Sequence, residues 1–327
     1  MKDSFQRTID YLRISLTDRC NLRCSYCMPE EGVRMAAHSE ILSLEEVLRV
    51  SELMSGLGIN KIRLTGGEPL LRKNVAWLVE GLKKIPQNPK VAMTTNGVLL
   101  AEKLPELIQA GLDEVNISLD SLDRAGYAKI CREDRLMDVL KGIDAAYEAG
   151  LSVKINCVPV AELNKDELSG LALLSKDRNI DVRFIELMPL GMGRQFTGIS
   201  SDTVRNELIK SFGACIPEED EKAVADYVRF PGFKGRTGFI RPISHAFCRS
   251  CNRVRLTSMG FLKLCLAYSD GVDLREYLRN GSDNEKIKEA IINKLAEKPA
   301  GHSFNDHAAE EATIHKNEEA GMNSIGG

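Results

Sequence analysis

From Tyr11 to about Pro189, short runs rich in β-formers alternate with stretches of helical period. The β-rich runs are Tyr11–Leu16, Lys61–Thr65, Lys90–Thr94, Glu114–Leu119, Leu151–Val158 and Asp181–Leu187. Helical patterns fall between them at Ser43–Leu57, Asn74–Ile85, Ala101–Ala110, Arg135–Ala149 and Lys165–Ser175. Ser43 followed by Glu46 is a capping-box start, and Gly111 and Gly150 stand where helices stop. Strands alternating with helices imply parallel βαβ units. Six such units predict an α/β fold, an incomplete (β/α)6 TIM-like barrel, with its chemistry at the C-terminal ends of the strands.

Past Gly191 the rhythm changes. A helix at Asp202–Ser211 precedes the Pro- and Gly-rich segment Ile216–Arg241, which reads as short strands and loops. Two apolar-alternating runs then flank Ser258-Met259-Gly260, predicting a hairpin. Pairing Thr257 with Phe261 sets Cys265 opposite Arg253, so that Cys251, Arg253, Arg255 and Cys265 share one face. From Asn284 an amphipathic helix leads into a polar tail ending Ser324-Ile325-Gly326-Gly327, expected to be frayed, with His302, His307 and His315 in solvent. The chain divides into a partial barrel, residues 1–195, and a C-terminal region, residues 196–327, whose hairpin and helices cover the open side.

The 327 residues suffice for a large core, and 43% apolar with 28% charged content is ordinary for a globular protein. A net charge of -3 argues against a dedicated nucleic-acid binder but leaves room for a local basic pocket. Met1-Lys2-Asp3-Ser4-Phe5 carries no apolar signal region and no run is long enough to cross a bilayer, so a cytoplasmic location without membrane is expected. Thiols stay reduced there, which makes the nine cysteines ligands or core residues. Cys131, Cys157 and Cys215 stand alone and read as small buried hydrophobes.

The other six cysteines form two triplets. Cys20, Cys24 and Cys27 lie at i, i+4 and i+7 after the first strand, a spacing that turns side chains to one side. Three thiolates can hold a [4Fe–4S] cube at three corners, whereas an electron-transfer cluster takes four. One iron is then open to a small molecule. A zinc knuckle would want a fourth ligand nearer than His38, and a ferredoxin a fourth cysteine. Other polar residues gather at the strand ends: Gly66-Gly67-Glu68-Pro69, Thr94 to Gly97, Ser118 and Asp120, then Arg183, Glu186 and Met188, with Lys154 in the fifth strand. Paired glycines let backbone approach a ligand closely. Cys248, Cys251 and Cys265 form the second triplet, and Arg253 and Arg255 beside it can grip phosphate in a fork.

The first triplet, with Tyr26 before its last cysteine and Gly66-Gly67-Glu68-Pro69 after the second strand, resembles the radical S-adenosylmethionine enzymes. The second, within Phe247 to Thr257, and the double-glycine end resemble one branch of them, the molybdenum-cofactor biosynthesis protein A family of GTP 3′,8-cyclases. The resemblance runs from Arg13 to Gly327. It implies two [4Fe–4S] clusters, on Cys20, Cys24 and Cys27 and on Cys248, Cys251 and Cys265. It implies S-adenosylmethionine held by Tyr26, Gly67, Asn96, Ser118 and Met188, and GTP held by Arg13, Arg63, Thr94, Lys154, Arg253 and Arg255. Arg183, Gly326 and Gly327 would serve catalysis. The implied lyase reaction uses a 5′-deoxyadenosyl radical to take hydrogen from ribose C3′, after which C3′ bonds to guanine C8. Implied partners are a small flavodoxin-like electron donor, the next enzyme of molybdenum cofactor biosynthesis and a second copy of the chain. The alternatives are a peptide-modifying radical enzyme, a zinc-binding scaffold and an electron carrier.

Overall fold

The computed structural model describes residues 1–219, 224–302, 304, 316–318 and 321–325. The chain opens with β1 (Tyr11–Ser15), α1 (Leu44–Gly56), β2 (Lys61–Thr65), α2 (Val75–Lys83), β3 (Lys90–Thr95), α3 (Leu100–Gln109) and β4 (Glu114–Ser118). A helix pair follows, α4 (Arg124–Cys131) and α5 (Leu136–Glu148), then β5 (Ser152–Cys157), α6 (Leu168–Ala172) and β6 (Asp181–Ile185). The strands β1 to β6 lie side by side in chain order, each parallel to the next. This is the open six-unit barrel that the alternation predicts. The expected capping box closes α1: Glu46 N–H donates to Ser43 Oγ at 3.1 Å, and Ser43 N–H to Glu46 Oε2 at 2.7 Å. The periodicity missed α4, which buries only Tyr127, Ile130 and Cys131 and so shows little apolar stripe. It overran α6, where 3-10 turns at Lys165–Glu167 and Leu173–Ser175 take both ends.

Side chains alternate across each strand. Leu12, Ile14, Ile62, Leu64, Val91, Met93, Val115, Ile117, Ile155, Val182 and Phe184 are buried toward the helices. Their neighbours toward the lumen are Arg13, Arg63, Thr94, Asn116, Ser118, Lys154, Asn156 and Arg183. An eight-fold barrel normally fills its lumen with branched apolar residues. Here the apolar burial, about 1.5–3 kcal/mol per large side chain, sits on the outer face alone. The inner face is left for polar chemistry.

The C-terminal region supplies α7 (Ser201–Phe212), β7 (Ile216–Glu218), β8 (Asp226–Arg229), β9 (Thr237–Ile240), β10 (Arg253–Leu256), β11 (Phe261–Lys263), β12 (Gly271–Asp273), α8 (Leu274–Arg279) and α9 (Asn284–Leu295). β9 runs parallel to β6 and β10 parallel to β1, so the late strands extend both edges of the six-stranded sheet. The hairpin β10–β11 has the expected register, with Arg255 opposite Lys263 and Thr257 N–H donating to Phe261 O at 2.9 Å. Cys131 and Cys157 are buried as expected, whereas Cys215 is only half-buried, its Sγ 3.8 Å from Arg205 Nη2. His302, expected in solvent, is half-buried and packs on Phe304 with ring centroids 4.4 Å apart. His307, His315, Gly326 and Gly327 lie outside the described residues.

Candidate active site

The loop after β1 carries the first triplet, and Cys20, Cys24 and Cys27 all line one cavity of about 310 Å³. Backbone bonds shape the loop. Cys27 N–H and Met28 N–H both donate to Cys24 O at 2.9 Å, and the C-terminus of α4 accepts from Ser25 N–H (Ile130 O, 2.9 Å) and Arg23 N–H (Cys131 O, 3.1 Å). Arg132 Nη1 adds bonds to the carbonyls of Arg23 at 3.0 Å and Met28 at 2.9 Å. Neither α4 nor Arg132 carried a signal in the sequence. Cys131, expected to stand alone, has its sulfur 3.8 Å from that of Cys24.

The residues assigned to S-adenosylmethionine gather on the same cavity: Tyr26, Gly67, Asn96, Ser118 and Met188 all line it. Asp120 aims Tyr26 by accepting from its hydroxyl at 2.6 Å and from Val158 N–H at 2.8 Å. Asn96 Nδ2 donates to Asn21 Oδ1 at 2.8 Å, and its N–H donates to Glu68 at 2.7 Å. Glu68 is fully buried, which pushes its pKa up to about 7 against the bonds from Asn96, Leu70 and Thr95. The glycines before it answer to the chain itself as well as to a ligand. A Cβ on Gly67 would lie 2.2 Å from Arg19 O, and one on Gly66 2.6 Å from Thr17 O, so only glycine lets β2 pass the loop that leads to Cys20.

Of the residues assigned to GTP, Arg13, Thr94, Arg253 and Arg255 line this cavity, while Arg63 and Lys154 stand behind it. Arg63 Nη1 reaches Thr94 Oγ1 at 3.4 Å, and its Nε donates to the Tyr11 hydroxyl. Lys154 Nζ donates to Glu114 Oε2 at 2.9 Å. Arg183 donates to Asn156 Oδ1 from Nε at 2.9 Å and Nη2 at 2.6 Å, and Asn156 lines the cavity. Burial alone would raise the pKa of Tyr11, but Arg63, Arg13, Lys61 and Arg253 around it bring it down to about 7. Burial first, then Arg253, lowers Arg255 to about 10. Tyr11 and Glu114 are two residues of this basin that the motifs did not flag. Each opens a strand among apolar residues, where it reads as ordinary strand.

Cys248, Cys251 and Cys265 do not line the cavity, but Phe247, Arg253, Arg255 and Leu266 around them do. All three are half-buried. Burial raises Cys248, and the charges of Cys265 and Cys251 raise it further, which marks the three as neighbours. Two cations unseen in the sequence brace the loops. Arg7, paired with Asp3 at 2.6 Å, donates to the carbonyls of Cys248 at 2.8 Å, Pro299 at 2.7 Å and Ala300 at 3.0 Å. Lys298 Nζ donates to Arg253 O at 2.9 Å and also to Leu264 O. Among the described tail residues, Lys316 to Glu318 bond back to Ala267 to Ser269, Glu318 pairs with Lys263, and Met322 reaches the cavity.

Residues 14–174 match the Radical SAM superfamily, and residues 180–304 match Molybdenum Cofactor Synthesis C. The GTP 3′,8-cyclase of Thermodesulfovibrio yellowstonii is 46% identical over 308 residues, 93% of this chain and 96% of that protein. That of Clostridium perfringens strain 13 is 43% identical over 93% of this chain and 95% of its own, and that of Alkaliphilus oremlandii 43% over the whole of both. Among solved structures, Streptococcus suis SuiB bound to its precursor peptide SuiA superposes with a TM-score of 0.58 at 13% identity, covering 90% of this chain and 66% of that one. This likeness carries the fold and nothing more. The superfamily works with S-adenosylmethionine and a [4Fe–4S] cluster. The first triplet suits such a group in its donor set, because three thiols line one cavity with the polar strand ends. With nearly its whole length matched, the chain belongs to the GTP 3′,8-cyclase family of radical S-adenosylmethionine proteins.

Proposed function

We propose that this protein converts GTP into 3′,8-cyclo-7,8-dihydroguanosine triphosphate, the first step of molybdenum cofactor biosynthesis. One observation carries this: Arg13, Arg253 and Arg255 open onto the same cavity as Cys20, Cys24 and Cys27. A triphosphate needs fixed cations, and arginine binds phosphate in a fork at any relevant pH. Cys20, Cys24 and Cys27 would hold the first cluster, with S-adenosylmethionine against Tyr26, Gly67, Asn96, Ser118 and Met188. Bound together, the two supply the radical that takes hydrogen from ribose C3′. Cys248, Cys251 and Cys265 would hold a second cluster that takes a guanine nitrogen.

The protein's own share is position and charge. Arg13, Arg63, Thr94, Lys154, Arg253 and Arg255 grip the nucleotide from strands rigid enough to keep C3′ beside the reacting carbon, a proximity effect. Arg183 and the terminal Gly326 and Gly327 complete the catalytic set; small residues and a carboxylate suit a narrow arginine-lined pocket. Residues 1–195 form the partial barrel with the first cluster site and four of the nucleotide contacts, and residues 196–327 add the second triplet and the hairpin that carries Arg253 and Arg255. The protein works in the cytoplasm, takes electrons from a small flavodoxin-like donor, passes product to the next enzyme of the pathway and pairs with a second copy. The test is an anaerobic assay of reduced, iron-loaded protein with S-adenosylmethionine and GTP. Formation of 5′-deoxyadenosine with loss of GTP is expected. 5′-Deoxyadenosine formed by the wild-type protein while GTP stays intact would overturn this reading.

A further inference from the structure

A carboxylate has the wrong sign for a pocket that binds a triphosphate, yet one sits at the base of the cation array. Glu114, the first residue of β4, has a side chain only 1% exposed. Four cations from three other strands converge on it: Lys154 Nζ at 2.9 Å, Lys90 Nζ at 3.0 Å, Lys61 Nζ at 3.7 Å, and Arg63 Nη2 in direct contact. Arg63 also donates to Tyr11, the next group toward β1.

We propose that Glu114 is a positioning residue for GTP, an internal counter-charge that keeps the flanking lysines ionised and Arg63 and Lys154 aimed for the phosphates. The inference rests on the assignment of GTP as substrate. Packed cations of like sign repel and lose water, and a buried lysine escapes by shedding its proton. Burial lowers both Lys61 and Lys154, and in each case the charge of Glu114 pulls back the other way. Burial would raise Glu114 itself, but Arg63, Lys154 and Lys61 hold it far below the usual carboxylate range. It is therefore ionised at neutral pH. The other charged or titratable groups around the pair are Tyr11 and Arg13 on β1, Lys90 on β3, Asp181 and Arg183 on β6 and Arg253 on β10. Asp181 is already engaged by Arg236 at 2.7 Å and the rest are cations except Tyr11, whose ionised hydroxyl supports Lys61 and Arg63, so Lys154 depends on Glu114.

The test measures GTP and S-adenosylmethionine affinities of the iron-loaded protein by equilibrium dialysis from neutral to alkaline pH. Glu114→Gln should bind GTP about tenfold more weakly at neutral pH, the equivalent of about 1.4 kcal/mol, because its cations lose the charge that orients them. Its binding should also fail at a lower pH than wild type, because its lysines lose their protons sooner. Glu114→Asp should restore the wild-type alkaline limit without the full affinity, and S-adenosylmethionine should bind all three alike. Equal or tighter GTP binding by Glu114→Gln would overturn the inference, as would a loss with the pH limit unmoved or a matching loss for S-adenosylmethionine. Should the Gln variant not fold, Glu114→Asp decides: weaker GTP binding with intact S-adenosylmethionine binding supports the role, and unchanged GTP binding refutes it. Wild-type protein that binds no GTP would instead refute the substrate.

Discussion

The two cysteine triplets carry the same three thiols in different surroundings. Burial raises Cys20 to about 11, with Glu68 and Cys24 adding to it, and the Cys131 thiol and burial push Cys24 well up. In the second triplet burial raises Cys248, but at Cys251 Lys298, Arg253 and Arg7 outweigh burial and bring the thiol below its ordinary value. Cations bonded to carbonyls brace both loops, Arg132 and Arg23 the first and Arg7 and Lys298 the second, but only the first is also held by backbone bonds to α4 and by the amide of Asn96. The first triplet thus sits among carboxylates and amides at the mouth of the barrel. The second sits in a field of arginine and lysine. Equal cysteine counts do not make equal sites: the neighbours of Cys24 raise its thiol and those of Cys251 lower it.

The sharpest way to break this contrast is to remove one thiol from each side. Cys24→Ser should abolish both 5′-deoxyadenosine formation and GTP loss, whereas Cys251→Ser should abolish GTP loss while 5′-deoxyadenosine still forms; product analysis separates them. If both variants behave alike, the division of labour is wrong. Next in size, Arg255→Ala should cost about 2–5 kcal/mol of GTP binding and leave S-adenosylmethionine binding alone, as calorimetry with each ligand would show.

A subtler effect belongs to Tyr11, whose folded pKa near 7 lies below its ordinary value of 10. The stability that its ionisation contributes is full above the ordinary value and lost as pH falls through about 7. The gap in stability between wild type and Tyr11→Phe should therefore widen from neutral to alkaline pH in denaturant titrations. Carbon NMR of ring-labelled tyrosine should show one ring titrating near neutrality in wild type alone. The smallest effect is a control remote from both triplets: Ser43→Ala opens the α1 capping box and should cost about 1 kcal/mol, with both ligand affinities unchanged.

Much of the architecture is legible from side-chain rhythm because period and turn residues are local properties. β2 runs over Lys61–Thr65 as the pattern predicts, and the hairpin register follows from Thr257, Gly260 and Phe261. The two triplets and the Arg253–Arg255 pair are likewise visible, since ligand chemistry needs particular residue types at particular spacings. Glu114 looks like any residue that opens a strand until four cations from neighbouring strands meet on it. Arg7 gains its role only because the fold brings Cys248 and Ala300, far along the chain, within reach of one guanidinium. The parallel pairing of β10 with β1 is of the same kind, a choice of partner that neither strand encodes alone. By itself the sequence determined most of the elements, the two cysteine triplets and the family; the tertiary structure alone decided which charges face one another. The physical reason is that periodicity acts between near neighbours, while electrostatics acts through space between groups that only the closed sheet brings together.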